Sequence, residues 1–271
     1  AALDALRGTW VFGGYGFDPW SRLLLVNDGL AQWLSVFGPW IGSALVLVFF
    51  ALPWRWSVGG VISCMLIGSM LRTEPVDSGL VFRLVQTNLP QDLRAGWPTE
   101  RWIPDVAEFL SSGDSGPPVD LVIWPETMLP GFGFEEETDV LEQLRSPWAV
   151  PSRMVQDWVK ASDTPLLLGT NIRDGLAFDE RELRWDRQVN ASVLVRPDGT
   201  HERAEKIGLT PFGEFIPLVS TVPELRQFLM NFVPDGSPIG AGLAQGDAPG
   251  RFVLGSIRLA TPICYESTLP A

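Results

Sequence analysis

Three residues of this sequence combine a reactive side chain with a position at the end of a candidate strand. Glu126 follows the run Leu121–Trp124 and a proline, and Cys264 comes directly after the run Ile257–Ile263. Lys206, one of two lysines in the chain, precedes a Pro-Phe-Gly-Glu turn. A thiol becomes nucleophilic when a base or cation helps to form the thiolate, and a desolvated lysine beside a carboxylate can stabilise an oxyanion. The three residue types therefore favour covalent catalysis by a cysteine.

Each of these residues also has an ordinary structural interpretation when it is considered singly. Glu126 fits a loop glutamate, Lys206 a surface lysine and Cys264 a buried structural cysteine. Their occurrence together, each next to a predicted strand end, is what favours chemistry, because ligand sites in α/β sheets gather at the carboxyl ends of strands.

The rare residues narrow the chemistry further. His201 is the single histidine, so a metal site rich in histidine is excluded. Cys64 and Cys264 lie far apart, which argues against a disulfide framework and against a zinc site built on paired cysteines. The net charge of −12 offers no basic surface for phosphates. We therefore expect no metal, no cofactor and no nucleic-acid partner.

Short apolar runs bounded by Gly, Pro, Asn and Asp predict strands after residue 80. They are Val81–Thr87, Val119–Trp124, Pro165–Thr170, Asn190–Arg196 and Ile257–Ile263. Helical patterns lie between them, at Pro104–Leu110, Glu137–Arg145 and Ser152–Lys160. This alternation predicts an α/β fold in which helices pack on the faces of a sheet.

The first part of the chain has a different composition. Residues 29–54 contain no charged side chain, and the run Trp33–Leu52 is long enough to cross the core of a bilayer. A second uncharged run, Trp56–Leu71, predicts the return limb of a helical hairpin. The alternative is a buried helix of a soluble protein. Arg55 in the connection favours a cytoplasmic turn, which places the later, acidic part of the chain on the periplasmic or extracellular side.

These patterns divide the chain into three predicted parts. Residues 1–28 form an extracytoplasmic segment, residues 29–72 a transmembrane hairpin, and residues 80–271 a catalytic domain. These patterns predict a membrane protein with more than one crossing.

Several segments resemble those of one family. VIWPET at 122–127, PFGEFIP at 211–217 and ICYE at 263–266 are similar, in this order, to signature blocks of the nitrilase (carbon-nitrogen hydrolase) superfamily. Behind a membrane hairpin, they resemble the apolipoprotein N-acyltransferase family in particular, as do residues 7–20 and 85–91. The resemblance implies a nitrilase-like α-β-β-α sandwich. Because that fold continues beyond the ICYE block, we expect the sandwich to be incomplete at the C-terminus and this polypeptide alone to be inactive.

The resemblance also implies catalytic roles. Glu126 would be the general base for Cys264, whose thiol would attack an ester and form a thioester. Lys206 would stabilise the oxyanion, aided by the backbone of Tyr265.

Supporting roles follow from the same resemblance. Glu214 would hold Lys206 or assist Glu126, Tyr265 and Glu266 would shape the site, and Trp97 would lie near the substrate. One segment departs from the family pattern: Ala204–Gly208 lacks the Tyr or Asn expected before the lysine and the His expected after it.

The implied function is a membrane-bound N-acyltransferase, and the implied location is the bacterial inner membrane, with several crossings and the catalytic domain on the periplasmic side. It would take an acyl chain from a phospholipid donor and pass it, through the cysteine thioester, to the lipidated N-terminal cysteine of a diacylglyceryl-modified apolipoprotein. The alternative within the superfamily is a carbon-nitrogen hydrolase (amidase) attached to a membrane anchor. A third reading is a non-enzymatic, membrane-anchored binding module.

Overall fold

The protein is described by a computed structural model. It describes residues 2–10, 16, 19–72, 77–88, 99–137, 140, 147–179, 182–211, 213–215 and 242–268. The chain divides into two compact units, one made of Ala1–Asp77 with Thr268–Ala271 and the other of Ser78–Ser267. We call them the helical unit and the α/β unit.

The helical unit consists of helices in the residues that are described. These are α1 (Ala2–Thr9), a 3-10 helix (Trp20–Val26), α2 (Asp28–Ala51) and α3 (Trp54–Met70). The Asn27 side chain caps the start of α2 by accepting hydrogen bonds from the N–H groups of Gly29 and Leu30. In the described part of the chain, α2 is the one helix both long and apolar enough to cross a membrane, with a mean hydropathy of 2.0.

A break lies in the middle of α2. Gly38 has φ 73° and ψ 176°, values outside the helical region, and Pro39 follows it directly. Proline cannot donate the helical hydrogen bond and disfavours helical geometry in the residue before it, whereas glycine tolerates a positive φ. The apolar run that predicted one continuous span therefore forms two shorter helical stretches.

Helices α2 and α3 pack as an antiparallel hairpin. The Trp33 indole N–H donates to the carbonyl of Cys64 at 2.9 Å, and the Ser57 hydroxyl donates to the carbonyl of Phe49 at 2.5 Å. At the open end, Gly29 and Gly68 lie so close that a side chain on Gly68 would overlap the Gly29 carbonyl. Small residues that allow backbones to approach are typical of helix pairs in membranes.

The break in α2 brings its two ends closer together, so that they match the two ends of the shorter α3. Between Gly29 and Phe49 a straight helix would rise about 30 Å, whereas from Ser57 to Gly68 it rises about 17 Å. Both ends nevertheless meet their partners, so the bend at Gly38 must shorten α2. The second predicted limb is helical, but at 17 residues α3 is shorter than a typical span.

The α/β unit is built around a five-stranded sheet in the order β1-β2-β3-β6-β7. The strands are β1 (Phe82–Leu84), β2 (Leu121–Ile123), β3 (Leu166–Asp174), β6 (Arg187–Val195) and β7 (His201–Glu205). The first three are parallel, and β3, β6 and β7 pair antiparallel. Two small hairpins are added, β4 (Ala177–Asp179) with β5 (Glu182–Arg184) and β8 (Arg251–Leu254) with β9 (Ile257–Ala260).

The two faces of the sheet are covered differently. Helices α4 (Thr99–Asp114) and α5 (Val150–Ser162) cover one face, where Val106 and Val155 pack against buried residues of β2, β3 and β6. The β8–β9 hairpin covers part of the other face, where Phe252 packs against Leu121, Leu167 and Leu194. The described residues thus form a mixed α/β fold with a helical layer, a sheet and a second layer of strands. Short 3-10 helices, Pro147–Ala149 and Cys264–Thr268, complete the described elements.

Each predicted strand overlaps a strand of this unit. The β7 strand provides the strand end at which Lys206 was placed, but its bounds could not be predicted from an apolar run, because its sequence, His-Glu-Arg-Ala-Glu, carries charges on an edge strand. The predicted helix Glu137–Arg145 lies largely outside the described residues.

The close approach of Gly29 and Gly68 predicts a difference between two glycine substitutions in α3. Gly68→Ala should destabilise the hairpin by about 1–3 kcal/mol, because the new methyl group forces the two backbones apart. Gly59→Ala is the matched control, since a methyl group there meets no atom within 4 Å. Unfolding of the protein in detergent micelles measures both, and equal stability of the two variants would contradict the packing.

Candidate active site

Glu126 lies in a turn that directly follows β2. Pro125 ends the strand, and Thr127 has a φ of 54°, so the chain turns sharply around the glutamate. The Glu126 carboxylate is partly exposed. Its Oε1 atom accepts a hydrogen bond of 2.6 Å from the Asn190 amide.

Gly169 of β3 makes room for this turn. A side chain at this position would lie 2.6 Å from the Cα atom of Glu126 and 2.7 Å from the nitrogen of Thr127. The Gly169 carbonyl also accepts hydrogen bonds from Met128 and Leu129, which bind the turn to the sheet. The placement of Glu126 therefore depends on the absence of a side chain at residue 169.

Lys206 directly follows β7 and is completely buried. Its ammonium group donates to Glu214 Oε1 at 2.7 Å and lies 3.8 Å from Glu126 Oε1. Main-chain hydrogen bonds to Asn190 and from Gly246 fix the backbone on both sides. A buried ammonium is tolerated only where opposite charges compensate for the loss of water, and here two carboxylates do so.

Glu214 is held by its own turn. Its Oε2 atom accepts a hydrogen bond from the backbone of Thr210 at 2.8 Å, while Oε1 accepts from Lys206. Both carboxylate oxygens therefore have fixed donors, so Glu214 anchors the lysine.

Cys264 lies where the chain leaves the β8–β9 hairpin and starts a 3-10 helix. Its φ of 50° is unusual for a residue with a side chain, and such conformations concentrate at functional sites. The neighbouring Tyr265 side chain is buried, whereas Cys264 is exposed. The turn therefore presents the thiol at the surface while the next residue anchors it.

Glu266 connects the lysine segment to the cysteine segment. Its Oε1 atom accepts from the backbone N–H groups of Ile207 at 2.6 Å and Gly208 at 3.0 Å. Its Oε2 atom accepts from the N–H of Ile263 at 2.7 Å. One carboxylate thus fixes the distance between the residue after Lys206 and the residue before Cys264.

A cavity of about 370 Å³ joins the glutamate and the cysteine. Its polar wall includes Glu126, Asn190, Ser192, Thr261 and Cys264. The remaining wall is mostly apolar, made by side chains of β2, β3 and the segment 260–263. In the described part of the chain, no cluster of three or more His, Cys, Asp or Glu residues is arranged to hold a metal ion.

The pKa of the Cys264 thiol is raised above its ordinary value. Partial burial in the cavity wall is the main cause, and the negative charge of Glu126 adds to it, with a smaller effect of Glu214. The positive charge of Lys206 and a hydrogen bond from the Tyr265 backbone act in the opposite direction. The resting thiol is therefore protonated at neutral pH, so a base must remove its proton when it reacts.

Those residues singled out in the sequence that the structure describes occupy one region. Glu126, Lys206 and Glu214 are in contact, Cys264 lines the same cavity as Glu126, and Glu266 ties the segments together. Trp97 lies outside the described residues.

Sequence reasoning missed two residues of this site, Gly169 and Asn190. A usable signal existed for Asn190, an amide between the apolar residues Val189 and Ala191 of β6. Gly169 also carried a signal, because a glycine directly after the apolar run Leu166–Leu168 indicates a close approach of another backbone.

The charges around Cys264 predict opposite shifts in its reactivity with iodoacetamide. Glu126→Gln removes a negative neighbour, so the pKa of the thiol should fall and alkylation should begin at lower pH. Lys206→Met removes a positive neighbour, so the pKa should rise and alkylation should require higher pH. The pH profile of alkylation measures both shifts, and identical profiles would show that these charges do not act on Cys264.

Because Glu266 accepts three backbone hydrogen bonds, we predict that a glutamine cannot replace it without loss of stability. In Glu266→Gln the side-chain NH₂ must face a backbone N–H, which leaves a donor unsatisfied and costs about 1–3 kcal/mol. Glu202→Gln, at an exposed carboxylate of β7, is the control and should leave stability unchanged. Thermal unfolding compares the two, and a Glu266→Gln variant as stable as the control would refute the connection.

Curated sequence relatives align with nearly the whole chain. An apolipoprotein N-acyltransferase of Rhodopseudomonas palustris is 26% identical over 99% of this chain and 52% of the relative. One of Vibrio parahaemolyticus is 25% identical over 97% of this chain and 50% of the relative. Apolipoprotein N-acyltransferase 2 of Treponema pallidum is 31% identical over 60% of this chain and 27% of the relative. The chain spans about half the length, or less, of these relatives.

No protein-family model matches the chain. Among solved structures, a CN-hydrolase superfamily protein of Xanthomonas campestris matches with a TM-score of 0.34 and 15% identity, over 70% of this chain and 54% of that one. An amidase of Nesterenkonia sp. matches with a TM-score of 0.32 and 15% identity, over 69% and 53%. These structural similarities are weak. The sequence similarity extends over nearly the whole chain, and by sequence this chain is similar to apolipoprotein N-acyltransferases.

Proposed function

We propose that this chain forms part of a membrane-bound N-acyltransferase that moves an acyl chain from a phospholipid to the N-terminal lipidated cysteine of an apolipoprotein. The observation that carries the proposal is the cavity shared by Cys264 and Glu126, with the Lys206 ammonium 3.8 Å from the same carboxylate. Relatives named apolipoprotein N-acyltransferase support the reaction class.

In the first step, Cys264 attacks the carbonyl carbon of the phospholipid ester. Glu126 takes the thiol proton, because the raised pKa of the thiol means that the thiolate is not preformed. A bond forms between Sγ and the carbonyl carbon, and the bond to the glycerol oxygen breaks. That oxygen receives the proton from Glu126 and leaves as a lysophospholipid.

Lys206 stabilises the oxyanion of the tetrahedral intermediate. An ammonium group has three N–H donors. One is directed to Glu214 and another lies near Glu126, which leaves a third for the oxyanion. The backbone N–H of Tyr265 is the second donor. Because the lysine is buried and anchored, it needs no reorganisation when the charge develops.

In the second step, an amine attacks the thioester. The new bond joins nitrogen to the carbonyl carbon, the bond to Sγ breaks, and Glu126 passes one amine proton to the departing thiolate. A thioester keeps the acyl group activated, and the apolar cavity wall limits the access of water, which would hydrolyse it.

The helical unit is the proposed membrane anchor. Apolar side chains such as Val36, Phe37, Ile41 and Phe50 are exposed along α2, as expected for helices that face lipid. We place the hairpin of residues 29–72 in the inner membrane and the domain of residues 80–271 on the periplasmic side. The proposed partners are the phospholipid donor and the lipidated apolipoprotein acceptor.

The proposal predicts a covalent acyl adduct on one residue. With the protein produced in bacterial membranes and incubated with a lipid-like ester probe, Cys264 should become labelled and Cys264→Ser should not. Glu126→Gln should label at least about 100-fold more slowly through loss of the base, and Lys206→Met about 100-fold more slowly through loss of an oxyanion donor. Mass spectrometry of the labelled peptide measures each rate.

Cys64 provides an internal control, because Cys64→Ser should leave the labelling rate unchanged. Undiminished labelling in Cys264→Ser would refute the proposal. Labelling of Cys264 followed by transfer only to water, with no product on an added amine, would point to the hydrolase alternative instead.

A further inference from the structure

Asn190 is a buried polar residue of β6, and it lies on the face of the sheet that holds the site. Its side chain is 3% exposed, and it forms part of the cavity wall with Glu126 and Cys264. Its neighbours in the strand, Val189 and Ala191, belong to the apolar core on the opposite face. An amide at such a position is costly unless its polar atoms are used.

One half of this amide has a fixed partner. The Nδ2 atom donates to Glu126 Oε1 at 2.6 Å. An ionised carboxylate can only accept hydrogen bonds, so the NH₂ group must face Glu126 and the amide oxygen must face the other way.

The other half has no partner. Asn190 Oδ1 is buried and receives no hydrogen bond from any of the described residues. Buried acceptors are nearly always satisfied, and an exception calls for an explanation. Because the residue lines a cavity that also contains the cysteine, a bound molecule can supply the missing donor.

We propose that Asn190 Oδ1 accepts an N–H from the amine that attacks the thioester, so that Asn190 and Glu126 together select a primary amine. This inference rests on the acyl transfer proposed above. The two acceptors are adjacent, since the amide that carries Oδ1 is hydrogen-bonded to the carboxylate. A neutral primary amine has two N–H groups, one for each acceptor.

The chemistry of the step is unchanged by this assignment. The amine nitrogen bonds to the thioester carbon and the bond to Sγ breaks, while Glu126 accepts one amine proton and passes it to the thiolate. The second N–H stays on the amide product and remains directed at Asn190. A secondary amine has one N–H, so it leaves Oδ1 unsatisfied, and a site built for a hydrogen bond discriminates against a substrate that lacks it. Water has two O–H groups, so this selection does not act against water.

The test compares the rates at which two amines take the acyl group from a preformed acyl-enzyme. The protein in membranes is first acylated on Cys264 with a fatty acid p-nitrophenyl ester. It is then mixed with a lipidated cysteine peptide carrying either a free or an N-methylated α-amine. For the unmodified protein we expect the primary amine to react at least about tenfold faster, the factor that corresponds to one hydrogen bond.

The decisive variant is Asn190→Leu, which keeps the size of the side chain and removes the acceptor. It should reduce the ratio of the two rates by at least about fivefold. Asn171→Leu is the matched control, because Asn171 pairs with Asn190 across the strands and is not part of the cavity wall among the described residues. It should keep the original ratio. If thermal unfolding shows that Asn190→Leu does not fold, Asn190→Ala is used with the same expectation.

The outcomes separate the two proposals. If Asn190 only orients Glu126, the leucine variant slows both amines equally and the ratio is unchanged, which overturns this inference and leaves the acyltransferase intact. If no thioester forms on Cys264 of the unmodified protein, the proposed function itself fails.

Discussion

A buried ammonium group between two carboxylates organises the α/β unit. Lys206 is inaccessible to solvent, and its charge is compensated by Glu214 at 2.7 Å and Glu126 at 3.8 Å. An unpaired charge at this depth would cost several kcal/mol, so any arrangement that separates the lysine from its partners is disfavoured. The turn after β2, the segment after β7 and the turn at Glu214 must therefore meet at one place.

The same charges determine how the thiol reacts. Partial burial is the main reason that the pKa of the Cys264 thiol lies above its ordinary value, and the negative charges of Glu126 and Glu214 add to it against the opposing charge of Lys206. A cysteine in such surroundings is not a standing thiolate, in contrast to one beside a lone cation. In the proposed mechanism, the thiol therefore reacts when a base in the occupied cavity accepts its proton.

The sequence predicted the elements whose signals are local. Apolar runs predicted strands, and Glu126 and Cys264 were singled out because they follow two of these runs. Lys206 was singled out as a rare lysine before a Pro-Phe-Gly-Glu turn. Features that depend on contacts between distant residues could not be predicted: the room that Gly169 makes for the Glu126 turn, the hydrogen bond from Asn190 to Glu126, and the three backbone hydrogen bonds that Glu266 accepts. The break in α2 had a local signal, Gly38-Pro39, but the uniform hydrophobicity of the run masked it.

The central claim is that Lys206 stabilises the oxyanion formed when Cys264 is acylated and that Glu126 transfers the proton of the thiol. An experimental structure of the protein acylated on Cys264 tests it most directly. The account predicts the thioester oxygen within about 3 Å of Lys206 Nζ, with the Glu126 carboxylate beside Sγ. A thioester whose oxygen points away from Lys206, with the lysine bound to Glu214 and Glu126 only, would contradict it.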